Sequence, residues 1–187
     1  TISDVASLAD IEISGTADTA DTNLTVAYAA TSTVATGTQT DVQNLKVTNQ
    51  GSINTAAANV ASNAKVMNVD IDKVETLAIT TAGTANSLDL SASADVKTIT
   101  VTGEGQTEIK AVGAAVTSFD ASAATGKVIA NLSNAASDSI TTVKGGSSDD
   151  SLTVVAADLT TSATVAGGAG SDKLIIGAGA GKTLQLA

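Results

Sequence analysis

Residues 145–153 read GGSSDDSLT and residues 167–175 read GGAGSDKLI, so a glycine pair, an aspartate five positions on and a leucine two beyond it recur 22 residues apart. The groups able to do chemistry there are carboxylates, because the chain has no His and no Cys. That absence removes the usual general base, the usual transition-metal ligand and any disulfide. Nineteen acidic residues against nine basic give a net charge of −10. The balance repels nucleic acid and anionic membranes and suits a cation, with calcium the expected ion and cofactor.

The elements that must position these stretches are short strands. Apolar residues recur at every second position with Thr, Ser, Asp or Lys between them, which turns one face inward and one to water. Examples are Ile11 and Ile13, Leu24 with Val26 and Tyr28, Leu45 and Val47, Leu88 and Leu90, Ile109 and Ala111, and Leu184 and Leu186. Gly, Asn, Asp and Ser clusters separate them as turns. A longer register overlies this alternation: anchors at Leu77, Ile99, Phe119, Val143 and Val165 are spaced 22, 20, 24 and 22 apart. A second strand begins inside each step near Leu88, Ile109, Val128, Leu152 and Leu174. Two short strands in a period near 22 predict an all-β fold, a parallel β-solenoid (β-helix or β-roll) whose coils stack on one another. One Phe, one Tyr and no Trp fit a thin core between sheets about 10 Å apart, which aliphatic side chains fill. Six to eight coils would give a rod of roughly 30 to 40 Å.

Two regions are expected. Residues 74–187 carry the regular solenoid, while residues 1–73 form less regular coils, because Leu45 to Leu77 is a step of 32 and TAAANVASNAK (55–65) reads as an insertion, helical or looped. Asp41, Asp72, Asp95 and Asp138 each precede an anchor strand by four or five residues, which marks a recurring corner. Turn bonds to the backbone are the plain reading of those four. No run of eighteen apolar residues and no basic-then-apolar opening segment occurs, so no membrane insertion is expected. A first residue Thr1 in place of Met reads as a processed product or a piece of something longer.

The two glycine-aspartate stretches are similar to the calcium nonapeptide G-G-x-G-x-D-x-U-x of RTX proteins, in which U is a large apolar residue. Gly167, Gly168, Gly170, Asp172 and Leu174 match every specified position, and Gly145, Gly146, Asp150 and Leu152 match with Ser148 in place of the third glycine. VTSFDASAATG (116–126) resembles a phrase of the large bacterial surface-layer proteins of that type I secreted group. The resemblance covers roughly 74–181. It implies that calcium sits between turns of adjacent coils, held by backbone carbonyls of the glycine-rich turns and by aspartate carboxylates. The implied metal residues are Gly145, Gly146, Ser147, Asp149 and Asp150 in one turn and Gly167, Gly168, Ala169, Gly170 and Asp172 in the other. Arrays of the family place motifs nine residues apart on alternating edges. Here the 22-residue spacing puts both on one edge of neighbouring coils, with one site shared by Asp150 and Asp172. Such an ion would act on folding, since a site that exists only in the folded chain adds its binding energy to stability. Extracellular sites of about 10⁻⁴ to 10⁻³ M affinity stay empty in cytosol and fill outside the cell.

The function implied is a structural segment of a secreted, self-assembling S-layer protein at the cell surface, with copies of itself as partners in a lattice. Cell-surface polysaccharide would be reached through other parts of the parent protein. The alternative is a calcium-dependent RTX adhesin or stalk module that binds a surface or another cell. Ice binding through Thr98, Thr100 and Thr102 is disfavoured, because the equivalent outward positions around Phe119 are Ser118, Asp120 and Ser122. An enzyme is not expected: there is no HExxH, no GxSxG and no His, and almost no aromatic to stack on a sugar.

Overall fold

The computed structural model describes residues 1–15, 21–29, 41–53, 65–136 and 139–177. Fifteen strands follow in chain order: β1 (Ile2–Val5), β2 (Ile11–Ser14), β3 (Thr22–Tyr28), β4 (Val42–Thr48), β5 (Met67–Ile71), β6 (Thr76–Ala82), β7 (Asn86–Asp89), β8 (Thr98–Gly103), β9 (Thr107–Ala111), β10 (Ser118–Ala124), β11 (Val128–Asn131), β12 (Ile140–Lys144), β13 (Ser151–Val155), β14 (Leu159–Ala166) and β15 (Lys173–Gly177). Odd-numbered strands make one sheet in the order β1-β3-β5-β7-β9-β11-β13-β15, and even-numbered strands make the other, β14 to β2. Every pairing is parallel. The chain therefore lays one strand in each sheet per coil and climbs by one strand spacing, which is a two-sheet parallel β-solenoid.

The alternation sets which residues meet between the sheets. Leu77 pairs with Ile99, Ile99 with Phe119, Phe119 with Val143 and Val143 with Val165, so the anchors stack in one inward column. Leu88, Ile109, Ala130, Leu152 and Leu174 stack likewise in the other sheet. All but the terminal Val165 and Leu174 are buried. A one-residue slip would turn each row to solvent, so burial enforces the register.

The first coils are longer. Ile11 pairs with Leu45, and Leu45 pairs with Ile79 rather than Leu77, a step of 34 each time. In the other sheet Thr22 pairs with Met67, a step of 45. Strands β1 to β5 nevertheless belong to the same two sheets as the rest. The extra length falls between strands, since residues 49–66 join β4 to β5 where three residues, 83–85, join β6 to β7. The insertion expected at 55–65 lies, apart from Lys65, outside the described residues, as do Asp138 and the pair Leu184 and Leu186. Opposite Leu77 stands Gln43, buried at the head of the anchor column. Its Nε2 donates to Ala9 O at 2.6 Å and Asn44 O at 2.7 Å, and its Oε1 accepts from the Tyr28 hydroxyl.

Candidate metal corner

Each even strand reaches the next odd strand through one corner of the coil. That corner takes three residues at 83–85, 104–106 and 125–127, but six at 145–150 and 167–172. The two nonapeptide-like stretches are thus longer turns on the same edge of neighbouring coils. Asp150 immediately precedes Ser151, Asp172 immediately precedes Lys173, and Ser151 pairs with Lys173.

Stacking at this corner accounts for the glycines. A Cβ on Gly145 would sit 2.0 Å from Gly167 O, and one on Gly168 would sit 1.9 Å from Gly146 O. Gly168 and Gly170 also have φ of 102° and 116°, which a side chain disfavours. Gly167 lies beneath the Asp172 carboxylate, whose Oδ2 is 2.2 Å from where its Cβ would be. Main-chain bonds join the turns: Gly145 N donates to Ala166 O at 2.8 Å, Ala169 N to Gly146 O at 3.0 Å and Ser147 N to Ala124 O at 3.1 Å. Ser148, at the substituted glycine position, donates its hydroxyl to Thr125 O at 2.9 Å.

The carboxylates point at the main chain as well. Asp150 is 2 % exposed; its Oδ1 accepts from Val128 N of the preceding coil at 2.7 Å and its Oδ2 from Gly146 N of its own turn. The Asp150 amide in turn donates to Asp172 Oδ1 at 2.9 Å. Asp149, exposed, accepts from Ser171 N at 2.8 Å. Burial pushes the Asp150 carboxyl above the usual carboxylate range, and the Asp172 charge adds to this, against the opposing pull of the two amides and Lys127.

Sequence reasoning picked out the two aspartates but not the column to which they belong. Asn86, Thr107, Val128, Asp150 and Asp172 occupy one position on five successive coils. Asn86 Oδ1 accepts from Gln50 N at 3.2 Å, and Thr107 donates its hydroxyl to Gly105 O at 3.0 Å. Differing residue types hide the column, although Asn, Thr and Asp share the capacity to bond a backbone group. The other corner works the same way: Asp95 Oδ2 accepts from Lys73 N at 2.9 Å, 22 residues away, and Glu75 Oε2 accepts from Asp41 N at 3.2 Å. Asp72 is exposed, and its carboxyl lies above the usual range through partial burial and then the neighbouring Asp70 and Asp95 charges, with Lys73 opposing.

Calcium requires several hard oxygens free to converge on one point. Both oxygens of Asp150 already accept an amide and the residue is 2 % exposed, so this carboxylate faces the main chain and not the rim. Each exposed carboxylate, Asp149 and Asp172, has a second oxygen that accepts no hydrogen bond among the described residues. Oxygen donors of the required kind are therefore present on the outer rim. Among the described residues no three acidic side chains converge on a common point.

A cavity of about 300 Å³ opens at the β1–β4 end, lined by Ile2, Ile11, Val26, Tyr28 and Gln43 among others. Comparison with family models, with curated proteins and with solved structures finds no match.

Proposed function

We propose that this chain is a structural segment of a secreted, self-assembling bacterial surface-layer protein of the RTX type, working by stacking and lateral packing rather than by catalysis. The observation that supports it most is the unbroken parallel stack. Each coil pairs with the coils above and below it, and among the described residues β1 and β2 at one end and β14 and β15 at the other are the last strands of their sheets. Solenoids of this kind extend by adding coils and pair through strand edges, which suits a repeating scaffold. A net charge of −10 makes close packing of copies depend on cations, and the outer oxygens of Asp149 and Asp172 are the donors assigned to calcium. Bound there, the ion would screen like charge on adjacent turns and stiffen the corner. The reading is tested by electron microscopy of the purified chain and of its parent in millimolar calcium and in chelator. Ordered two-dimensional sheets that need calcium would support it; dispersed rods in both conditions would favour the adhesin or stalk alternative.

A further inference from the structure

We infer that the acidic corner closes without an ion: Asp150 is a main-chain clamp on three successive coils, standing where an inner calcium ligand would be expected. The inference goes beyond the surface-layer reading and does not rest on it. The geometry is reciprocal. The Asp150 carboxylate takes one amide from the coil below, Val128 N, and one from its own six-residue turn, Gly146 N, while its own amide is taken by the Asp172 carboxylate from the coil above. Two of the three bonds each span one coil, 22 residues in opposite directions, and the third closes the turn itself. Each Asp150 oxygen keeps a lone pair beyond the amide it accepts, but the side chain is enclosed in the closed corner, so an ion could reach it only by opening the turn that these bonds hold. Asp150 is also nearly inaccessible, whereas Asp149 and Asp172 are exposed. Burial therefore sets Asp150 against the main chain and leaves the rim carboxylates as the ones open to an ion.

The clamp explains why the aspartate lies five residues after the first glycine of the pair. Three-residue corners manage with neutral groups: at the matching position Asn86 and Thr107 bond neighbouring backbone, and the Val128 side chain carries no polar group. A six-residue turn brings three more backbone amides to the corner, and a carboxylate that accepts one of them and one from the next coil ties the turn down.

The experiment is thermal unfolding of the whole chain, followed by far-UV circular dichroism, in chelator and in millimolar calcium, for the native sequence, Asp150→Ala and Asp172→Asn. The inference expects a folded, cooperatively melting native chain in chelator. Asp150→Ala should lose roughly 10 °C of melting temperature by the same amount in both media. Asp172→Asn keeps an oxygen for the Asp150 amide and should lose only a few degrees in chelator. A native chain that is unfolded in chelator and folds on adding calcium would overturn the clamp while leaving the calcium-dependent surface-layer reading standing. An Asp150→Ala loss confined to calcium would also overturn it. Equal melting of the native chain in both media would support the clamp and count against calcium on the rim.

Discussion

The first coils and the later ones share two sheets but solve the same packing problem differently. From Leu77 onward the anchor column is apolar throughout, with Leu77, Ile99, Phe119 and Val143 each fully buried, and the coils step by 20 to 24 residues. In the first coils the step is 34, the head of the same column is Gln43, and the Tyr28 hydroxyl reaches it across the core. Strict spacing is therefore not what makes a coil: a strand joins the stack when its inward row can be buried or hydrogen-bonded, and the excess length is carried by the connections between strands. Tight, repeated corners are what the later coils add. There the turns lie close enough that several glycines face a carbonyl of a neighbouring coil.

The comparison breaks most severely if an inward anchor of the regular stack is charged. Leu152→Asp places an unpaired carboxylate against Leu174 and in the buried row that includes Ala130. It should unfold the C-terminal coils outright, seen as lost β-sheet dichroism and rapid proteolysis beyond residue 140. The corner is next. Gly168→Ala adds a Cβ 1.9 Å from Gly146 O at a φ of 102°, so a loss of about 2 to 4 kcal/mol is expected in denaturant melts. Gly177→Ala, whose nearest new contact is the Val155 side chain at 3.2 Å, should cost under about 1 kcal/mol.

In the first coils Gln43→Ala leaves the buried Tyr28 hydroxyl and Ala9 carbonyl without their partner, and should cost about 1 to 3 kcal/mol. Gln43→Leu, which would suit the later coils, should not restore stability, because it leaves the same groups unpaired. Recovery by leucine would show that the first coils follow the later rule after all.

The smallest effect is in pH dependence, where two aspartates of the later coils have opposite signs. Burial and then Asp172 hold the Asp150 carboxyl above the usual range, so its contribution to stability is fully present below the ordinary carboxylate pKa and is lost as pH rises through the folded value. Burial also raises Asp120, but the Ser122 hydroxyl and amide and the Lys144 ammonium at 3.0 Å outweigh it and hold it below the range. Its contribution is present at neutral pH and is lost as pH falls through the folded value. Asp120→Asn should therefore cost about 1 kcal/mol or less at pH 7, with the deficit shrinking on acidification between about pH 5 and 3. A deficit that grows with acid would reverse the assignment.

Much of this architecture is readable in the residues. The two-residue alternation at Leu77 and Ile79 or Leu152 and Val154 shows through because burial demands an apolar side chain at each inward site, and the anchor spacing follows because each coil must return to the same place. Gln43 is two residues before Leu45 and in phase with it, yet a polar residue gives no sign that it points inward until its three partners are in place. The corner column is hidden for another reason. Asn86, Thr107, Val128, Asp150 and Asp172 repeat a position and not a residue type, and what most of them bond is backbone, which leaves no trace in the sequence. The two glycine-aspartate turns stood out, and stacking them on one edge agrees with their spacing; that Asp150 is spent on amides depends on three-dimensional closure of the coil.

The central claim is that successive coils lie in register 22 residues apart, with Asp150 directly beside Asp172. Nuclear Overhauser spectra of the methyl-labelled chain test it most directly. Cross-peaks between Leu152 and Leu174 and between Val143 and Val165, together with an Asp150 amide proton strongly protected from exchange, are predicted. Cross-peaks displaced by one or more residues, or an Asp150 amide that exchanges at the rate of an open turn, would contradict it.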